Sequence, residues 1–275
     1  MVRAFSYRML FSIVLALLVS ACLFDSTPKH LKPLSEDAKK LLAAKGIRSG
    51  SSMFVRIFKE EAVLEAWFAR DDGTYTLFKK YEICNWSGKL GPKLKTGDRQ
   101  APEGFYVITP AQMNPKSKYH LAFNLGYPNA YDRSYQRTGA YLMVHGGCKS
   151  AGCYAMTDDN VQEIYALARD AFMGGQREFP VHAFPFRMTE QNLQKHAANK
   201  WSGFWRNLKA GHDYFEFKAR PPVVAVQNKR YVYFDSVDQV PKVYASRSKI
   251  RANSRNPVLI SGWASTPASA SALMR

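Results

Sequence analysis

Cysteine, histidine and acid are all in short supply in this 275-residue chain, which has 4 Cys, 6 His and 22 Asp+Glu against 39 Lys+Arg. A structural zinc needs four ligands, usually in two close pairs, and a catalytic one needs three with supporting partners. Outside a single cluster the candidate ligands Cys84, His120 and His182 are scattered without pairing, so neither a metal nor another cofactor is expected. The deficit of acid leaves a formal net charge of +17, which draws a protein toward polyanions. Long hydrophobic runs are missing as well: the apolar run Met9–Val19 is interrupted by Ser12 and falls short of the roughly 20 residues a membrane span needs. No internal repeat is evident, which argues against solenoid and propeller arrays.

What is present begins with an export layout. Residues 1–22, MVRAFSYRMLFSIVLALLVSAC, set Arg3 and Arg8 before that apolar run and small residues after it, the order of a signal segment. Val19-Ser20-Ala21-Cys22 resembles a bacterial lipoprotein box, so residues 1–21 are expected to be removed and Cys22 to carry lipid. Leu23 follows where Asp does not, which resembles sorting to the outer membrane. The expected location is periplasmic, with a lipid anchor in that membrane. Removal of residues 1–21 takes away two Arg and no acid, and +17 becomes +15. Export argues against nucleic acid as the polyanion and leaves acidic lipids and the carboxylates of peptidoglycan stem peptides.

Residues 22–52 are polar and punctuated by Pro28, Pro33 and Gly46, the composition of a tether, with one helical stretch near Glu36–Ala44. From Met53 the runs MFVRIFKE, AVLEAWFAR and YTLFKKYEIC read as consecutive strands, with Asp71-Asp72-Gly73 as a hairpin turn. Further strands are expected at Phe105–Thr109, His120–Leu125, Ala140–His145 and PVHAF, and two more around Asn228. Val161, Ile164, Tyr165, Ala168 and Phe172 fall at helical spacing behind Thr157 as N-cap. Thr189–Asn199 and Phe204–Leu208 are the other helical candidates. One domain is expected over residues 50–235, mainly β with a few helices, followed by a basic, disordered tail over 236–275.

Residues 141–158, YLMVHGGCKSAGCYAMTD, crowd His145, Cys148 and Cys153 together. A metal site, a disulfide and a thiol nucleophile all predict such crowding. Lipidation of Cys22 would leave Cys84, Cys148 and Cys153 in an oxidising compartment. Three is odd, so one thiol stays free unless it pairs between chains. A disulfide would most naturally join Cys148 to Cys84 and leave Cys153. A nucleophilic cysteine needs a base and backbone N–H groups aimed at the developing oxyanion. Gly152-Cys153, after a strand and before a helix, is a sensible place for one.

The motif resembles the YkuD-type L,D-transpeptidases, which carry a His-Gly at the end of a strand and then a Ser-His-Gly-Cys-hydrophobic-Arg block. Here His145-Gly146 is followed by Ser150-Ala151-Gly152-Cys153-Tyr154-Ala155-Met156. The likeness is greatest to the YafK-like branch, and GDRQAPEGFY, NLGYPNAYDR, YLMVHG and FPFRM extend it over about residues 50–235. Ala151 and Ala155 depart from the pattern, standing where most of the family has His and Arg. The resemblance implies a YkuD-like β-sandwich and a cell-wall enzyme acting at meso-diaminopimelate, with peptidoglycan and a murein-bound outer-membrane lipoprotein as partners. It implies Cys153 as nucleophile, His145 as general base and acid, and an oxyanion site in the backbone of Gly152 and Cys153. His120 is the rival base, and Asn129, Asp132, Arg133 and Ser150 are candidates for substrate contact. Hydrolysis of the lipoprotein–murein link is the leading expectation. Transpeptidation and a non-catalytic, peptidoglycan-binding lipoprotein are the alternatives, and a working site is expected to show a low-pKa thiol.

Overall fold

The computed structural model describes residues 27–241 and the backbone of a two-residue strand, Val258–Leu259. The export segment 1–21, the lipidation site Cys22 and most of the tail 236–275 lie outside the described residues. Strands dominate the first half of the chain. β1 (Met53–Phe58), β2 (Val63–Ala69) and β3 (Tyr75–Glu82) form an antiparallel meander. It turns on Asp72, whose carboxylate accepts the Thr74 N–H at 2.8 Å, and on Gly73 at φ 76°. β4 (Asn85–Trp86), β5 (Gly104–Ile108), β6 (Met113–Asn114), β7 (Ala122–Asn124), β8 (Met143–His145) and β9 (Tyr154–Ala155) follow, then β10 (Phe179–Phe184).

These strands make two five-stranded sheets, ordered β3-β2-β1-β10-β5 and β4-β9-β8-β7-β6. Val55, Ile57, Leu64, Tyr106 and Val181 of the first sheet share one buried cluster with Phe123, Val144 and Tyr154 of the second. Phe123 meets Phe179 edge-on at 5.6 Å across it. β1 and β10 are buried at every position, which explains their unbroken apolar runs, since central strands covered on both faces do not alternate. The outer face of the first sheet carries Phe58, Phe105 and Phe184 against Trp205 and Leu208 and a small sheet of β11 (Val223–Gln227) and β12 (Arg230–Phe234). A mainly-β sandwich with a few helices is the architecture.

Five helices complete the described residues: α1 (Glu36–Ala44), α2 (Ala130–Ser134), α3 (Asp158–Met173), α4 (Glu190–Lys195) and α5 (Ser202–Lys218). α3 starts where the sequence places it, with the Thr157 side chain accepting the Asn160 N–H. α5 is far longer than Phe204–Leu208. Its aromatic content masks a helical stripe of Phe204, Trp205, Leu208, Gly211 and Phe215. Gly211 is required, because a Cβ there would lie 2.4 Å from the Tyr233 ring and 2.7 Å from that of Phe105.

Two expectations are corrected. The tether over 22–52 is packed onto the body from Lys29 onward: Leu34, Ala38, Leu42 and Ile47 are buried in the main cluster. Arg169 of α3 also donates to the carbonyls of His30 and Lys32 at 3.0 and 2.8 Å. The amphipathic face of α1 is what overrides the polar composition. In the tail, β13 (Val258–Leu259) pairs with β11, so that segment is not wholly without structure.

The long loop between β4 and β5 matters for the site. Lys59 is fully buried and its ammonium donates to the carbonyls of Lys89, Gly91 and Ala101 and to the Glu103 carboxylate, at 2.8–3.2 Å. Glu103 in turn accepts the Gly91 N–H at 2.7 Å and the Trp205 indole N–H at 2.8 Å. A loop rich in Gly, Pro and Lys is thereby held at both ends from beneath.

Candidate active site

β8 is flanked by β7, which pairs Ala122 with His145 antiparallel, and by β9, which pairs His145 with Ala155 in parallel. The register of β9 sets Val144 opposite Tyr154, and one step earlier the Met143 N–H donates to the Cys153 sulfur at 3.4 Å. His145 at the end of β8 and Cys153 in the turn just before β9, eight positions apart in sequence, are thus brought side by side by adjacent strands of one sheet. The thiol donates in turn to the Tyr141 carbonyl at 3.7 Å.

His145 is 3% exposed and stacks on Tyr119 with ring centroids 4.8 Å apart. Its Nδ1 lies 2.6 Å from the Gly146 carbonyl oxygen. A carbonyl only accepts, so this contact assigns the proton to Nδ1 and leaves Nε2 as the basic nitrogen. Burial lowers the imidazole pKa from its ordinary value, against the opposing pull of that carbonyl. Gly146 is required: a Cβ would lie 2.4 Å from the Asp158 carboxylate and 3.0 Å from the Tyr119 carbonyl oxygen. The Gly147 N–H donates to the same Asp158 at 2.9 Å, so the start of α3 fixes the turn that ends β8.

The disulfide joins Cys84 to Cys148 and leaves Cys153 as the free thiol among the described residues. Cys148 is therefore not available as a thiolate ligand, which removes it from the His145-Cys148-Cys153 metal set. Cys153 is half-buried, and burial raises its pKa, opposed by the Met143 N–H and by the Lys93 ammonium. Burial thus works against the low-pKa thiol expected of a working site, and it favours the neutral form of both the imidazole and the thiol.

Ser150 closes the loop beneath the nucleophile. Its hydroxyl donates to the Cys153 carbonyl at 2.7 Å and accepts the Gly152 N–H at 3.3 Å, so Ser150 shapes the backbone around the nucleophile. Gly152 sits at φ 124°, where L side chains are strained. Its own N–H is engaged by Ser150, whereas the Cys153 N–H makes no hydrogen bond among the described residues. Ala155 is fully buried beside β4, with the Cys84 sulfur 3.3 Å from its carbonyl oxygen.

The GYPNAYDR candidates divide. Asn129 is the N-cap of α2 and its amide donates to the Phe105 carbonyl and the Tyr231 hydroxyl. Asp132 is fully buried and bound to Arg137 at 2.8 Å. Burial raises the Asp132 pKa, opposed by the Arg137 guanidinium. Both residues hold α2 to the sheets; Asp132 has no exposure to solvent, which corrects its assignment to substrate contact, whereas Asn129 also lines a cavity beside Arg133. Arg133 is exposed beside that cavity, which has a volume of about 210 Å³. His120 lies in the turn before β7 at φ 59°, not on the strand itself. Its Nε2 is 2.9 Å from the Gln162 side-chain oxygen and its Nδ1 is 4.0 Å from Asp158.

Sequence reasoning missed Lys93, Tyr119 and Tyr141. Lys93 is buried, paired with Asp98, and its stem fills the space a Cβ at Gly139 would take. Tyr141, whose carbonyl meets the thiol, is 75% exposed at φ 57°, which is a costly conformation for a residue with a large side chain. No spacing marks these residues, because loop packing rather than a motif brings Tyr119 to His145 and the other two toward Cys153.

Comparison with known proteins adds an independent line. A family model described as the L,D-transpeptidase catalytic domain YkuD matches residues 65–182. The chain is 40% identical over 225 residues, covering 80% of its length and 89% of the relative's, to "Putative L,D-transpeptidase YafK" of Escherichia coli strain K12. The O157:H7 protein of the same name matches equally. Among solved structures, the helical cell shape determining protein Pgp2 of Campylobacter jejuni aligns at 20% identity and a TM-score of 0.40, covering 68% of each chain. Bd1075 of Bdellovibrio bacteriovorus aligns at 19% identity and a TM-score of 0.35, covering 58% of this chain and 71% of that one.

Proposed function

The chain belongs to the YkuD family of L,D-transpeptidase catalytic domains, and from that membership we propose that it hydrolyses the link between murein and a covalently bound outer-membrane lipoprotein through a thioester on Cys153. The coarser reading, a peptidoglycan-modifying enzyme of the cell wall, follows from the family. The observation that supports the thioester is the pairing of Cys84 with Cys148, which leaves one thiol, just before β9 and next to a histidine whose Nδ1 holds the proton; the choice of water and of the lipoprotein link rests on the YafK-like pattern.

In this mechanism the thiol attacks the meso-diaminopimelate carbonyl as His145 Nε2 takes its proton. Because burial favours the neutral form of both groups, transfer accompanies attack instead of preceding it. The Cys153 N–H faces the developing oxyanion. Collapse breaks the C–N bond, and His145 returns the proton to the departing amine of the lipoprotein. Water then attacks the thioester, giving its proton to His145, and the diaminopimelate carboxyl and the Cys153 thiol are released. An amine held at high effective concentration would intercept the same thioester and give transfer. Ala151 and Ala155 remove two polar groups beside the nucleophile, and the YafK-like pattern that contains them supports water as the acceptor. Lipidation at Cys22 and export would place this chemistry at the periplasmic face of the outer membrane.

The test is expression in cells that carry murein-bound lipoprotein, with bound and free forms quantified. Wild type should lower the bound form and Cys153→Ala should not. A rise in bound lipoprotein, or in links between two diaminopimelate residues, would establish transfer instead.

A further inference from the structure

Away from the thiol, two adjoining cavities of about 480 and 520 Å³ share Leu94, Lys200 and Trp201 as a common wall. The outer one is lined by Tyr131, Tyr135 and Phe204 and by Lys229 and Arg230 at the β11–β12 turn. The inner one continues along Lys89, Gly91, Asp98 and Gln100. It reaches the site through that loop: Lys93 pairs with Asp98, and the Gln100 carbonyl is 3.5 Å from where a Cβ of Gly152 would lie. The Thr138 N–H, bonded to the Leu94 carbonyl at 3.1 Å, opens the segment that ends at Tyr141 against the thiol.

Its chemistry is one-sided. Lys89, Lys200, Lys229 and Arg230 are exposed and make no ion pair among the described residues, and the single acid on the walls, Asp98, is already held by Lys93. Leu94 at 41% and Tyr135 at 45% exposure are left uncovered here. The Lys200 and Lys229 ammonium groups stand 5.3 Å from the Trp201 and Tyr135 ring centroids. Lys229 sits at φ 58° after Asn228 at φ 50°, a pair of left-handed residues that favours Asn-Gly. A lysine costs stability at that position, and its ammonium overlies the groove.

We propose that this groove is a second subsite that binds an anionic glycan, the murein strand carrying stem-peptide carboxylates, with pyranose rings against Trp201 and Tyr135 and carboxylates on Lys200, Lys229 and Arg230. The identity of the glycan rests on the activity proposed above; the class, a ring-bearing polyanion, rests on the walls. Flat aromatic faces bury the C–H faces of sugar rings, and unpaired cations match regularly spaced carboxylates. An acidic polypeptide would satisfy the charge but leave the aromatic platform without a role.

The experiment measures binding of soluble murein glycan strands bearing tetrapeptides to the Cys153→Ala chain by calorimetry. Trp201→Ala and Lys229→Gly should each weaken binding by about tenfold, and added salt should weaken the parent more than Lys229→Gly. Lys229→Gly relieves the left-handed strain, so its melting temperature should equal or exceed the parent's, which separates lost binding from lost folding. Variants that bind as the parent does overturn the proposal, as would polyglutamate binding as tightly as the strands and indifferent to Trp201→Ala. Cleavage by the Cys153 chain is scored on the same strands with lipoprotein attached. Cleavage without groove-dependent binding overturns the subsite alone, and groove-dependent binding without cleavage overturns the hydrolase reading alone.

Discussion

Replacing Lys59 by Met removes an ammonium that holds three loop carbonyls and the Glu103 carboxylate with no exposure to water. The carbonyls are partly compensated, because the two N–H groups of the Gln100 side-chain amide are already shared among those of Lys89, Gly91 and Ala101 at 2.5, 2.8 and 3.3 Å. Glu103 keeps the N–H groups of Gly91 and Trp205 but loses its only opposite charge among the described residues. Breaking a buried pair from one side costs about 3–5 kcal/mol, and the spare Gln100 contacts put the expected loss for Lys59→Met near the lower end, about 3 kcal/mol. Denaturant unfolding at pH 7 measures it. Glu103→Gln added to Lys59→Met should recover part of the loss, since the stranded charge disappears. A loss below about 1 kcal/mol, or a double variant worse than the sum of the singles, would refute the reasoning. The loop so held carries Lys93 and Gln100 to the thiol, so kcat/KM of the folded protein should fall as well.

His145→Ala should lower kcat/KM by about 100-fold or more, the range of a lost general base; a silent His145→Ala beside an inactive His120→Ala would reverse the assignment of the base. Iodoacetamide should alkylate Cys153 slowly at pH 7 and faster as pH rises past the ordinary thiol range, because burial raises that pKa. Fast, pH-independent labelling near neutrality would indicate a preformed thiolate–imidazolium pair. Burial holds His145, His182 and His212 below the ordinary imidazole value, with Arg56 adding to the effect on His182. The unfolded chain binds protons that the folded chain refuses, so this stability is intact above about pH 6.5 and is lost as pH falls from there toward the folded values, by up to about 1.4 kcal/mol per pH unit per site. His182→Phe, between Phe54 and Phe105, should flatten thermal stability between pH 6.5 and 5; an unchanged slope would mean His182 does not contribute.

How far the sequence reaches depends on what each residue's role rests upon. The meander of β1 to β3, the hairpin around Asn228 and the Thr157 cap follow from local turn and capping chemistry, which a few adjacent residues set. An odd number of thiols says that one stays free but not which two pair; the Cys84–Cys148 disulfide comes from the structure. The family resemblance singled out Cys153 and His145, and the β8–β9 register explains why a short interval serves. The sequence places α1 at its observed range but not its packing, and it reads α5 short, because the burial of both comes from surfaces distant in sequence. Asn129 and Asp132 resembled a substrate loop for a physical reason: side chains that cap and pin a loop are the same polar types that contact ligands. Lys59 and Lys93 carry no local signal, since each acts through a loop 30 or more residues away or folded back on itself.

The most direct test of the account is the isotope content of the murein product after cleavage by the purified chain in water enriched in oxygen-18. Hydrolysis through the Cys153 thioester puts one solvent oxygen in the diaminopimelate carboxyl freed from the lipoprotein, raises the fragment mass by about 2 Da, and depends on Cys153. A fragment that instead appears joined to an acceptor amine, with no solvent oxygen at that carbonyl, or a labelled product that forms equally with Cys153→Ala, would contradict it.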